Sequence, residues 1–427
     1  MVEFLFYLFN FFIIIINFFW YLLLFRKDTK NIFIIIFFFI YLIYIHISPS
    51  IVSGFNNKYD QYFWVQLIFF IFFELPIYLL VNNKYRNIPI ISLKYKNSAL
   101  TKYIVFLGLI LLPIFNYYIL WNNNFLYKRL GDETIDILQN FNFFERLIVK
   151  FFDFFSLILP SLLFYSYIKF NKNKFLCLYW IISSSILFII NSKQNMILLV
   201  LILSSIYIFL NGFNFKIKYL FFILLSFYVL KITNDLRYNL TFDKNGINVD
   251  YDFLNPFTEK KVVYEENDIF YFRLNGVDLA SDFYRVNGFF NFDADYFKHI
   301  YYMTIDPIIG DGNYMQLAKS NAYTTTKILL QRKYLGINTT DNYSCVLTDI
   351  FGAFGFIGVF VLSLLFSFIF LISKLLLSSK SNIYVILGIF SSIAFINFEM
   401  DFFTNLFNFL ILFLPILFLG NFISKQS

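Results

Sequence analysis

What most constrains this chain is the recurrence of apolar runs as long as a lipid bilayer is thick. The stretch FFIIIINFFWYLLLF, residues 11–25, is one of them. A hydrocarbon core of about 30 Å takes roughly 20 apolar residues per helix. No water reaches the backbone there, so only helices or closed barrels satisfy its hydrogen bonds. Runs of helical length recur at about residues 4–25, 31–48, 61–81, 102–121, 146–168, 175–191, 195–210, 219–232, 345–372, 383–399 and 402–420. They predict an all-α integral membrane protein of about eleven transmembrane helices. Hydrophobic residues make up 59% of the 427, with a mean hydropathy of +0.67, which excludes an ordinary soluble domain. The 65 Phe and 32 Tyr fit the coding bias of an AT-rich genome and read as lipid-facing and core filler, not as aromatic chemistry.

Orientation follows from Lys and Arg in the short connections. Arg26, Lys27 and Lys30 follow the first span, Lys84, Arg86, Lys94, Lys96 and Lys102 the third, and Lys169, Lys172 and Lys174 the fifth. Lys216 and Lys218 follow the seventh, Lys374 and Lys380 the ninth, and Lys425 the last. Every odd span thus ends in the cytoplasm, which puts the N-terminus outside and the C-terminus inside. The first span, preceded by Glu3 and no basic segment, reads as an anchor and not a cleaved signal. Three segments result: a membrane domain over 1–232 with spans one to eight, a large extracytoplasmic loop over 233–343 between spans eight and nine, and a membrane domain over 344–427 with the last three spans.

Basic residues on the outer side go against this trend and ask for a reason. Arg146 and Lys150 open the fifth span, Lys193 lies in the NSKQ turn between spans six and seven, and Lys231 and Arg237 flank the exit of the eighth. Arg332 and Lys333 precede the ninth. Such cations either snorkel to phospholipid headgroups or hold a polyanion such as a diphosphate. Asp153, three residues after Lys150, is placed to pair with it. Glu74 lies deep in span three, just before Pro76. A carboxylate at that depth must be neutral, paired or facing water. The favoured reading is a protonated side chain bonding a carbonyl freed by Pro76, with a proton or ion relay as the alternative. Two cysteines, Cys177 and Cys345, give no disulfide framework, and His46 and His299 alone exclude a multi-histidine metal site.

The stretch DNYSCVLTDIFGAFG, residues 341–355, closes the large loop and opens span nine. Asn342, nine residues, Gly352, two residues and Gly355 reproduce the spacing that closes the O-antigen polymerase and ligase superfamily. In the ligases a His precedes that Asn; here it is Asp341. The chain therefore resembles the Wzy-type O-antigen polymerases, in which the histidine is not required. Lys193 in NSKQNMILLVLIL is similar to the basic hairpin residue of the same family, and the likeness covers roughly residues 185–370.

The resemblance implies polymerisation of undecaprenyl-diphosphate-linked repeat units, of O-antigen or capsular type, on the periplasmic side of the bacterial inner membrane, with no metal or other cofactor. Its expected partners are lipid-linked glycans, membrane lipid and a chain-length regulator, with no nucleic acid. A diphosphate leaving group needs charge neutralisation, for which Lys193, Arg237, Arg332 and Lys150 are the candidates. The acceptor hydroxyl benefits from a base, for which Asp341 is the candidate, with Arg237 beside it. Asp341 equally fits an N-cap for span nine. Gly352, Gly355 and Gly358 fit a small-residue packing face. A ligase and a flippase or other transporter of lipid-linked oligosaccharide are the alternatives. The latter calls for ionisable residues within the spans, and Glu74 is the one deep acid.

Overall fold

The computed structural model describes residues 2–27, 31–47, 59–81, 99–123, 141–191, 193–212, 346–396 and 402–425. Among the described residues every regular element is helical. The helices are α1 (Val2–Lys27), α2 (Ile32–Leu42), α3 (Tyr59–Phe69), α4 (Leu75–Val81), α5 (Ala99–Asn122), α6 (Phe143–Phe170), α7 (Lys174–Asn191), α8 (Lys193–Asn211), α9 (Val346–Leu377), α10 (Asn382–Ile396) and α11 (Phe402–Lys425). A π-helical turn, Ile43–Ile47, extends α2, and another, Phe70–Glu74, joins α3 to α4. Each predicted span except the eighth coincides with helix. The eighth and the loop 233–343 lie outside the described residues. Four helical segments are long and apolar enough to cross a bilayer: Phe4–Leu24, Tyr103–Asn122, Phe143–Phe170 and Gly355–Leu377.

The helices are patterned inside out. On α1 the buried positions are Phe6, Asn10, Ile13, Asn17, Trp20 and Leu24. They alternate by four and three, the spacing of a single packed seam. Asn17 is 1% exposed, whereas Phe11 and Phe19 on other faces are 59% and 60% exposed. Where lipid is the solvent, apolar side chains gain nothing by leaving it, and amides gain from partners inside the bundle.

The chain forms two compact units, the first holding α1–α4 and α9–α11 and the second α5–α8. In the first unit, α9 packs on α10, on α3 and α4, and on the π turn between them. Its core is aromatic: Phe37 lies 4.0 Å from Phe370 between ring centroids, and Phe38 stacks on Phe73 at 5.3 Å. In the second unit, α6 packs on α5, α7 and α8. The entry of α6 is a capping box, in which Asn142 Oδ1 accepts from the Glu145 N–H and Glu145 Oε2 from the Asn142 N–H, both at 2.9 Å.

A proline inside a helix frees the carbonyl four residues earlier, and in a bilayer no water takes it up. Pro113 in α5 leaves Leu109 O, to which Trp180 Nε1 of α7 donates at 2.9 Å. The Tyr179 hydroxyl donates to the adjacent Ile110 O, also at 2.9 Å. Pro76 leaves Phe72 O, and Ser367 Oγ of α9 donates to it at 2.8 Å. This corrects the expectation for Glu74. The carbonyl freed by Pro76 is served from α9, and Glu74 is directed elsewhere.

The glycine reading also changes. Gly355 has φ 61° and ψ −150° and breaks α9 into two helical pieces. That conformation is open essentially to glycine alone, so Gly355 is a hinge in the backbone and not a helical packing position. A close approach occurs instead at Gly388 of α10. A Cβ there would stand 2.9 Å from the Leu377 backbone nitrogen at the end of α9.

Three variants test these features through stability. Gly355→Ala is expected to cost about 1–3 kcal/mol, read as a lower unfolding temperature in detergent. Gly108→Ala, with nothing within 4 Å of the added carbon, is expected to leave that temperature unchanged or raise it. Trp180→Phe retains the ring but leaves Leu109 O without its donor, for an expected loss of about 1–3 kcal/mol. Wild-type melting would overturn that role for Trp180.

Candidate functional site

The polar centre of the first unit is built from amides and two ionisable side chains, all on helices that sequence periodicity alone makes apolar. Asn10 and Asn17 come from the buried seam of α1, Gln66 from α3 and Tyr78 from α4. His46 sits on the π turn after α2, and Glu74 on the π turn before α4. A π turn inserts one residue and rotates the side chains that follow. At 70–74 the wider turn precedes Pro76, whose ring would otherwise press on the Phe72 carbonyl. The Leu75 N–H accordingly bonds Phe70 O, five residues back. His46, Gln66 and Glu74 are each 0% exposed.

The hydrogen bonds form one chain. Gln66 Nε2 donates to the Ile45 carbonyl at 2.7 Å, which turns Gln66 Oε1 to Asn10 Nδ2 at 2.9 Å. Asn10 Nδ2 also donates to Phe6 O at 2.9 Å, so Asn10 Oδ1 faces His46 Nδ1 at 3.0 Å. His46 Nε2 meets Glu74 Oε1 at 2.9 Å. Tyr78 donates its hydroxyl to Asn17 Oδ1 at 2.5 Å, with Glu74 Oε2 at 3.5 Å. Asn17 Nδ2 is held by Ile13 O at 2.9 Å.

Backbone carbonyls thus fix both amides, and the amides fix the imidazole. Asn10 offers His46 an acceptor, so the assigned proton on Nδ1 follows from the network. At the other nitrogen, the imidazole and the carboxyl face each other with room for one proton between them. The pair carries no net charge whether that proton sits on Glu74 or on His46. A neutral pair with every bond made can be held in an apolar interior, whereas either group alone in charged form is costly there.

Of the residues singled out for diphosphate chemistry, Lys150 and Lys193 belong to described helices of the second unit. Lys150 is half-buried on α6, one turn after Arg146, with Asp153 three residues further on. Lys193 is the first residue of α8, at the tight junction with α7, which ends at Asn191; its side chain is outside the described residues. α6 and α8 pack against each other, so the helices bearing Lys150 and Lys193 are neighbours in the second unit. Arg237, Arg332, Asp341, Asn342 and His299 lie outside the described residues, as do Lys231, Lys333, Glu399 and Asp401. Among the described residues no group of three His, Cys, Asp or Glu could hold a metal ion.

The network also brings in residues that sequence reasoning passed over. His46 was weighed only as a metal ligand, and Asn10, Asn17 and Gln66 not at all. The available signal was the pair of asparagines seven residues apart in an apolar run, and a lone His and a lone Glu in consecutive spans. No protein-family model, no curated protein and no solved structure matches this chain.

A double-mutant cycle measures the pair. His46→Leu alone and Glu74→Leu alone each leave an unpartnered polar group and are expected to cost about 3–5 kcal/mol. The double variant is expected to cost clearly less than the sum, read from thermal unfolding in detergent. Additive losses would mean that the two side chains do not interact.

Proposed function

We propose that the protein polymerises undecaprenyl-diphosphate-linked oligosaccharide repeat units, of O-antigen or capsular type, at the outer face of the bacterial inner membrane. The observation that carries the reading is the frame Asp341-Asn342, nine residues, Gly352, two residues, Gly355. Its support in the structure is the backbone at Gly355, where φ 61° gives the last glycine of the frame a physical necessity.

In this mechanism the acceptor sugar hydroxyl attacks the anomeric carbon of the donor glycan. Asp341 takes the hydroxyl proton, the new glycosidic bond forms, and the bond to the diphosphate breaks with its electron pair leaving on oxygen. Lys193, Arg237, Arg332 and Lys150 neutralise that developing charge, which preorganised cations do well in a partly dry site. No proton is needed by the leaving group, so the chemistry runs without a metal. Membrane lipid and a chain-length regulator are the further partners of this reading.

The second reading is a transporter of lipid-linked oligosaccharide, favoured by the buried His46–Glu74 pair. Ionisable residues inside spans commonly mark ion or proton pathways.

Deletion of the gene separates these readings on a gel of the surface glycan. The expected product is lipid core bearing a single repeat unit. Loss of all repeats would point to ligase or transporter. Lys193→Ala and Arg237→Ala are each expected to shorten the glycan while the protein stays in the membrane. Wild-type chain lengths in both would overturn the diphosphate assignment.

A further inference from the structure

The cluster at His46 and Glu74 has a chemistry of its own, independent of whether the protein polymerises or transports. Among the described residues its neighbours lie on four helices. Asn10, Asn17 and Tyr21 of α1, Tyr41 of α2, Gln66 of α3 and Tyr78 of α4 surround the pair. From α9, the rings of Phe366 and Phe370 pack on Phe73, the residue before Glu74, and the Ser367 hydroxyl is engaged on Phe72 O.

We propose that His46 and Glu74 form a proton-binding site inside the membrane domain, holding one exchangeable proton between Nε2 and Oε1, with Tyr78 as a port. Three observations carry it. First, the hydrogen-bond directions leave one proton for the two facing atoms. Asn10 Oδ1 fixes His46 as a donor through Nδ1, at 3.0 Å, and Nε2 and Oε1 then share what remains across 2.9 Å.

Second, the described hydrogen bonds at the histidine end run through amides to backbone carbonyls. Asn10 is locked on Phe6 O and Gln66, and Gln66 on Ile45 O. These amides hold fixed orientations and pass no proton onward. Third, the glutamate end is two-way. Tyr78 is half-buried in the middle of α4, and its hydroxyl hydrogen has two acceptors, Asn17 Oδ1 and Glu74 Oε2.

The step balances as follows. On release, the shared proton passes to water admitted beside Tyr78, and the carboxylate keeps the electron pair of its O–H bond. The Tyr78 hydroxyl then turns from Asn17 Oδ1 to Glu74 Oε2, giving the new anion a donor. On uptake, the proton returns to the space between Oε1 and Nε2, and Tyr78 turns back to Asn17. Either departure from the one-proton state puts a full charge into an apolar interior. Proton exchange is therefore tied to the entry of water and to loosening of the contact among α1, α2 and α4.

The chain has only two histidines, His46 and His299, which makes the site directly observable. The experiment is solid-state nuclear magnetic resonance of full-length protein, labelled with nitrogen-15 in histidine, in phospholipid bilayers. His299→Gln removes the other signal. The expected wild-type spectrum has a protonated Nδ1 at every pH. Its Nε2 signal is that of a proton-sharing nitrogen, and it changes with pH.

Glu74→Gln is expected to abolish that shift, and Tyr78→Phe to keep the starting spectrum but slow exchange of the shared proton with heavy water. A bare Nδ1, or an Nε2 signal unmoved by pH in the wild type, would overturn the site and leave a purely structural contact. Unchanged exchange in Tyr78→Phe would overturn the port. The wild-type spectrum decides the first point even if a variant does not fold, and neither result depends on the glycan measured in the deletion strain.

Discussion

The absence of water from the bilayer core is the constraint on which this architecture depends. Every polar group placed there must find its partner within the chain. The His46–Glu74 bond at 2.9 Å is the sharpest instance, because it joins two ionisable side chains that are both fully buried. The same rule explains the smaller features around it. Ser367 and Trp180 serve carbonyls freed by Pro76 and Pro113, and Asn10 and Asn17 each return a bond to their own helix four residues back.

That rule links local irregularity to tertiary contact. A regular α-helix leaves no carbonyl to spare, so it offers neighbours only surface shape. Proline and π turns expose carbonyls and redirect side chains, and the first unit uses both at one place. His46 and Glu74 sit on two such turns, and Ser367 of α9 closes the carbonyl beside them. The result is a polar centre held by α1–α4 and α9, whose members are far apart in sequence.

Two kinds of chemistry are proposed for this chain. One is the diphosphate chemistry expected of outer-face cations, resting on Lys193, Arg237, Arg332, Lys150 and the frame at 341–355. The other is the proton chemistry of a buried neutral pair. The first was legible as a spacing and a charge asymmetry. The second was half legible. Glu74 stood out as a deep carboxylate, but its partner could not be chosen, because a freed carbonyl and a histidine one span away are equally near in a one-dimensional reading.

By itself the sequence determined the class of the protein, because a bilayer-length apolar run has few ways to satisfy its backbone. It also determined most helix positions, and the inside-out logic that a polar residue in such a run needs a partner. Only the tertiary structure decided which partner. It sent Glu74 to His46 and gave the carbonyl freed by Pro76 to Ser367. It also made Gly355 a backbone break while the close helix approach fell at Gly388. The physical reason is the same in each case: periodicity fixes which face of a helix is buried, but pairing depends on the depth and rotation of neighbouring helices, and π turns and prolines shift both.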